Sequence, residues 1–343
     1  LGYLAYVLIA YHRIEDRQTL EVKNSGKAEA AQLEAGETHT YHLMSYNIGF
    51  GAYESDYGFF MDGGTESWAW SEERLRANLE NIAALVRSDA ADFYFIQEVD
   101  FDSTRSYHVD EREYLTDALS SYCSTVAQNF DSPFLFYPFT QPHGIARSCI
   151  MTFSAFRADS GLRISLPVEN SLMKLVDLDR CYSITRIPVS NGRELVLYNF
   201  HLSAYTSDGT IAEKQLKMLL ADMQGEYERG NYCIAGGDFN KDLSSDAETY
   251  FHTSAGDYTW AQPIPEELFD GIDVLLVFPY DAENPVPSCR NADGPYNPDQ
   301  YVLTVDGFLV TANVTVKRAD VVDTGFAYSD HNPVEMDFIL KSE

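Results

Sequence analysis

Five short apolar runs in this 343-residue chain stop at residues that an apolar core does not tolerate unpaired. LMSY ends at Asn47, FYFIQ at Glu98, LYNF at His201, CIAGG at Asp238 and Asn240, and Asp330-His331 stand just before NPVEMDF. Runs of this length and apolarity are those of buried strands. Strand ends on one rim of a sheet converge in space whatever their separation in sequence. Burying an acid or amide there is costly unless it is paired or holds a metal. Singly, each has an ordinary reading: Glu98 as a turn cap, His201 as a hydrogen-bonded core histidine, Asp238 as an Asx turn. Jointly, they point to one polar site at a rim.

The rest of the chain alternates strand and helix signals. SEERLRANLENIAALVRS puts Leu75, Leu79, Ile82 and Leu85 on one face, with Ser71 as N-cap. REYLTDALSSY reads as a shorter helix. Residues 211–229 form an amphipathic helix with Leu216, Leu219, Leu220 and Met223 inward and Gly230 as its stop. HLMSYN, DFYFIQEV, SCIMTFS, YSITRIPV, ELVLYNFHL, YCIAGGD, DGIDVLLVF, YVLTVDGFLV and VEMDFIL read as strands. Several are too apolar for one solvent-facing sheet. This implies α/β architecture with sheets packed together and helices outside.

One catalytic domain is expected over residues 41–343, preceded by a polar spacer at 14–40 in which TLEV can form a short strand. The opening LGYLAYVLIAY is uncharged but too short to cross a bilayer, which needs roughly twenty residues. Residues 1–13 are expected to be the end of an N-terminal membrane anchor, with the catalytic domain extracellular.

Charge bears on partners. Asp and Glu number 53 against 24 Lys and Arg, a formal net of −29, and no Lys/Arg run occurs. Duplex DNA is gripped mainly by cations neutralising phosphates, so nucleic acid is disfavoured as a partner without being excluded. The five cysteines are widely spaced with no CxxC pair, which argues against a zinc knuckle or a disulfide framework. No protein partner is evident.

The ordered set SYN, QE, NFHLSA, GGDFN, VDGFLV and SDHNPV resembles the signature of the endonuclease/exonuclease/phosphatase superfamily. That superfamily includes pancreatic-type deoxyribonucleases, abasic-site endonucleases, neutral sphingomyelinases and inositol polyphosphate phosphatases. The resemblance spans roughly residues 41–340 and implies a four-layered sandwich, two mixed sheets between helical layers, with the site at the sheet rim. It implies a metal-dependent phosphoric ester hydrolase working by in-line attack of water. Glu98, with Asn47 and Asp330, would hold a divalent cation; an oxygen-rich set suits Mg2+, with Mn2+ or Ca2+ as alternatives. Asp238 would orient or deprotonate the water, and Asn240 would hold it and the phosphate in line. His201 and His331 would donate to phosphoryl oxygens, with Asp306 orienting His331. The resemblance leaves open whether Asp238 or His331 is the base. Arg105, Arg147 and Arg290 are candidates to hold a phosphate, each weighed against an ordinary surface arginine. The remaining histidines, His12, His39, His42, His108, His143 and His252, carry no motif and read as structural or exposed.

Within the superfamily, a lipid-headgroup phosphodiesterase fits best, because it needs no polyanion grip and suits a membrane-proximal chain. A nuclease and an inositol polyphosphate phosphatase are the alternatives. A non-catalytic binding domain is least favoured, because each motif position carries a competent residue type.

Overall fold

The computed structural model describes residues 2–3, 6, 13–28, 31–168, 178–204, 210–254 and 261–342. The expected anchor end therefore lies largely outside the described residues. No helix among those described is long and apolar enough to cross a membrane.

The strands run in chain order as β1 (Gln18–Leu20), β2 (Tyr41–Asn47), β3 (Phe93–Asp100), β4 (Cys123–Asp131) and β5 (Arg147–Ser154). There follow β6 (Ser160–Ser165), β7 (Cys181–Pro188), β8 (Glu194–His201), β9 (Tyr232–Asp238) and β10 (Val274–Val277). The last five are β11 (Cys289–Arg290), β12 (Val302–Leu303), β13 (Asp306–Thr311), β14 (Val314–Val321) and β15 (Val334–Leu340). Helices are α1 (Glu72–Asp89), α2 (Glu111–Ala118), α3 (Thr210–Glu228) and α4 (Ala247–Phe251). A seven-stranded sheet has the order β1-β6-β7-β8-β9-β13-β10 and a six-stranded sheet the order β14-β15-β2-β3-β5-β4. Both are mixed: β2–β3 and β8–β9 are parallel, their other pairs antiparallel.

The pleat sorts side chains into layers. On β3, Phe93 and Phe95 enter a core shared with Leu195, Leu197, Ile234 and Phe308 of the opposite sheet. Tyr94 and Ile96 point the other way, onto Leu75, Leu79, Ile82 and Val86 of α1. Across the second sheet, Leu216, Leu219, Leu220 and Met223 of α3 pack on Val196, Tyr198 and Cys233. This is the expected four-layered sandwich. Burying a leucine such as Leu79 stabilises such a layer enough that truncation to alanine costs about 2–5 kcal/mol.

Ser71 caps α1 by accepting from the Arg74 N–H, as its sequence implies. The buried stripe is finished by Val86, with Leu85 only half buried, because the helix presents Ile82, Ala83 and Val86 to the sheet. α2 ends at Ala118, short of the expected run to Tyr122, since Leu119 already leaves helical geometry. Strands β4, β6, β11 and β14 were not expected, and the expected strand YVLTVDGFLV is split into β12 and β13. Parts of the stretch 14–40 lie along the body: β1 joins the seven-stranded sheet, Lys23 bridges Ser124, and Leu33 is fully buried beside Val189.

Candidate active site

Register brings the polar strand ends together. His201 pairs with Asp238 across the parallel β8–β9 ladder, and Asp238 pairs with Asp306 across β9–β13. Three residues distant in sequence thus form one row at the rim. Close approach of the strands needs glycine at Gly237, whose φ is 148° and whose added Cβ would lie 1.9 Å from the Phe200 carbonyl oxygen.

Glu98 arrives differently. The sequence suggests a strand ending at this residue, but β3 continues to Asp100 with a register shift against β5 between Ile96 and Val99. Glu98 sits at φ 55°, unusual for a non-glycine residue. Val99, not Glu98, takes the next place in the helix-facing core. The irregularity frees the Glu98 side chain from the pleat and lets it meet the rim, a common use of bulges near sites.

Asn47, the last residue of β2, stands at the centre. Its Nδ2 donates to Glu98 Oε1 (3.1 Å) and Asp238 Oδ2 (3.2 Å) and lies 3.4 Å from His331 Nε2. Its Oδ1 accepts from the Gly49 N–H at 3.0 Å. His331 Nδ1 donates to Asp306 Oδ2 (2.7 Å), an oxygen that also accepts from Ser288 Oγ (2.7 Å). Ser329 Oγ donates to the Asn47 carbonyl (2.9 Å) and accepts from the His331 N–H (3.2 Å), tying the SDH turn to β2. His201 Nε2 is 3.4 Å from Asp238 Oδ2, while its buried Nδ1 makes no hydrogen bond. Asn240 spends its amide on the Leu202 carbonyl (2.8 Å) and its N–H on Asp238 Oδ1 (2.7 Å), so it holds the end of β8 and orients the carboxylate.

The two histidines differ in charge. Burial drives His201 far below the usual imidazole range, and the nearby Arg180 and His331 charges push the same way. Burial also opposes charge on His331, but Asp306, Cys289 and Asp330 outweigh it and hold the imidazolium. Asp238 is pushed up to about 7, first by burial and then by the charge of Asp306. Glu98 is raised by burial and by Asp330.

Glu98, His201, Asp238, Asn240, Asp330 and His331 line a cavity of about 330 Å³, with Asn47 and Asp306 holding them from behind. Arg105 and Arg290 reach its wall, and both are buried rather than surface residues. Arg105 forms a two-pronged pair with Asp100 (2.9 and 3.0 Å) and lies over the Phe50 ring. Arg290 donates to the carbonyls of Asn291, Gly294, Glu54 and Tyr57. Arg147 pairs with Asp102 and Asp131 and does not line the cavity. Arg180 and His143 line it without having been singled out. Arg180 had a signal, since it directly precedes an apolar strand. His143 had none: it is buried by the chain fold, which lowers its pKa to about 3.

A family model described as the endonuclease/exonuclease/phosphatase family matches residues 44–331. The chain belongs to this family. Its members hydrolyse phosphoester bonds and generally use divalent metals. Among solved structures, the chain is similar to an endonuclease/exonuclease/phosphatase from Beutenbergia cavernae, 18% identical, with TM-score 0.59, covering 88% of this chain and 72% of that one. It is also similar to ANGEL2, a 2′,3′-cyclic phosphatase in complex with adenosine-2′,3′-vanadate, 16% identical, TM-score 0.58, covering 94% and 99%. The human Nocturnin catalytic domain with bound sulfate is 17% identical, TM-score 0.51, covering 94% and 98%. No curated protein matches the chain.

The donor set fits a hard divalent cation. Glu98, Asp330 and Asp238 bring carboxylates to one cavity, and the Asn47 amide stands between two of them. Turning that amide over would present a further oxygen. These oxygen donors suit a hard divalent cation, with the His331 imidazole clustered beside Asp238 and Asp306.

Proposed function

We propose that this chain is a Mg2+-dependent phosphodiesterase that hydrolyses a lipid headgroup diester by in-line attack of water. The observation that carries the reading is the composition of the cavity. Its polar floor of Glu98, Asp238, Asp330, His201 and His331 continues into an apolar wall of Phe59, Met61, Phe130, Leu135 and Leu178, with no lysine in the lining. A polyphosphorylated ligand would meet four lining carboxylates, Asp62, Glu98, Asp238 and Asp330, against three arginines, one of them already neutralised by Asp100. A single diester flanked by apolar matter suits this lining better.

Asn47, Glu98 and Asp330 are the residues that would hold the cation. When bound, it supplies charge that polarises the phosphoryl group and steadies the leaving oxygen. Asp238 takes the proton of the attacking water; the Asn240 N–H fixes its Oδ1 and leaves Oδ2 beside Asn47 and His201, whereas His331 is held by Asp306 as a donor. His331, oriented by Asp306, donates to a phosphoryl oxygen as charge builds there, and neutral His201 donates beside it. Asn240 keeps Asp238 aimed. We read the apolar N-terminal run as membrane-proximal, with the catalytic domain outside the cell.

The test is hydrolysis of bis-(p-nitrophenyl) phosphate with magnesium and with chelator, for wild type and Glu98→Gln. Equal rates in all arms would retire the catalytic reading. A second panel compares sphingomyelin, phosphatidylcholine, an inositol polyphosphate, plasmid DNA and a 2′,3′-cyclic nucleotide, the last because ANGEL2 is a cyclic phosphatase. Turnover of the lipids above the others is expected. Efficient DNA nicking would overturn the substrate class and leave the chemistry standing.

A further inference from the structure

Beside the cavity mouth the chain leaves an apolar surface that its own fold does not cover. Nine large hydrophobic side chains are exposed among the described residues, and six of them, Tyr3, Tyr6, Met61, Phe136, Tyr137 and Phe139, gather here. Phe139 is 85% exposed and Tyr137 62%. Patches of this kind are uncommon on soluble surfaces and mark interaction sites.

The loop that carries them is built, not loose. Leu135 and Gly144 exchange backbone hydrogen bonds (2.9 and 3.0 Å), and the His143 N–H donates to the Tyr137 carbonyl (3.2 Å). Leu135 thereby faces the cavity while Phe136, Tyr137 and Phe139 face solvent. Phe60 packs on Tyr137, which brings the neighbouring Met61 to the same rim. Tyr3 and Tyr6 join it. Tyr3 Oη donates to the Phe134 carbonyl (3.1 Å), the Phe134 N–H donates to Tyr6 Oη (3.1 Å), and the Tyr3 and Phe136 rings meet edge-on at 4.9 Å.

We infer that this aromatic rim seats the cavity mouth on the surface of a zwitterionic lipid bilayer. Aromatic rings with polar tips are at home at the headgroup level, where one end is apolar and the other wet. Tyr3 and Tyr6, packed against Phe134 and Phe136, extend the apolar face beyond what a small ligand would need. The loop SPFLFYPFTQPH carries no acid, lysine or arginine, and the chain's net charge of −29 repels an anionic surface, so a neutral bilayer is the fitting partner. The inference rests on the lipid-headgroup reading for its purpose, although the binding it describes is measured separately.

The experiment is flotation of the full chain with vesicles of phosphatidylcholine alone. Wild type is expected to bind, with little effect of salt. Phe136→Ser/Tyr137→Ser/Phe139→Ser is expected to bind at least about tenfold more weakly, with hydrolysis of bis-(p-nitrophenyl) phosphate unchanged. Because a triple variant can disturb folding, Phe139→Trp gives a second measure: its emission should be quenched by brominated phosphatidylcholine. Failure of wild type to bind, undiminished binding by the triple variant, or absence of quenching overturns the inference. So does a wild-type dimer that the triple variant dissolves, since the patch would then be a self-association face. Vesicle binding without any lipid turnover would support the rim and retire the headgroup reading.

Discussion

Strand β2 carries a polar residue near each end, and the two rims it connects solve the same electrostatic problem in opposite ways. At the rim where β2 begins, His42 lies 2.6 Å from Asp337, 3.3 Å from Asp89 and 3.5 Å from Glu335. Arg318 closes the cluster on Glu335, Asp320 and Asp337 at 2.6, 2.8 and 3.2 Å. Burial opposes charge on His42, yet the three carboxylates outweigh it and push its pKa up to about 10. At the rim where β2 ends, the Asn47 amide links Glu98 to Asp238, Asp330 lines the same cavity, His331 is held by Asp306, and Arg105 is committed to Asp100. Burial first, then the charge of Asp330 for Glu98 and of Asp306 for Asp238, hold both above the usual carboxylate range. The first rim brings its own cations. The second sets Glu98, Asp238 and Asp330 beside His331 on the wall of the cavity, and it is the second that opens to a ligand.

Breaking the open rim should have the largest effect. Glu98→Gln is expected to reduce kcat/KM for a phosphodiester on the order of a thousandfold, and chelation should do the same to wild type, with melting temperature little changed by the substitution. Asp306→Asn removes the acceptor that orients His331, and a loss on the order of a hundredfold in kcat is expected, measured with the same substrate. A rate near wild type would show that His331 needs no such partner.

Breaking the closed rim should cost stability instead. His42→Gln is expected to lower stability by about 2 kcal/mol at neutral pH, read by thermal unfolding, with turnover unchanged. The folded pKa of His42 lies above its ordinary value of 6.5, so its contribution is fully present below that pH and is lost as pH rises through about 10. Wild type and variant should therefore converge in alkaline buffer. Divergence that grows with pH would contradict the assignment. The smallest effect is expected for Arg147→Ala, whose two ion pairs are half exposed and outside the cavity: at most about 1 kcal/mol and no change in rate.

Much of this contrast can be read from the chain before folding. The N-cap Ser71, the stripe of α1 and the apolar runs of β2, β8 and β9 are local patterns, and they form where the pattern says. Strands β4, β6 and β14 escape such reading for separate reasons. β14 is an edge strand with charged residues facing solvent, and β4 places Thr125 and Asn129 at buried positions. β6 carries Arg163, fully buried only because the carbonyls of Gln128, Glu15 and Asp179 and the Ser165 hydroxyl satisfy it. Ser165 lies within SGLRIS, but the three carbonyls come from distant segments and cannot be read from it.

What the amino-acid sequence determined alone is the set of side chains at the rim and their place at the ends of apolar strands, because strand formation and chain polarity are local. Only the tertiary structure decided that Asp238 stands between His201 and Asp306, that β3 bulges to release Glu98, and that Arg105 is neutralised whereas Arg147 faces outward. Those outcomes depend on pairing register and on packing between distant segments, and register is a property of two strands at once.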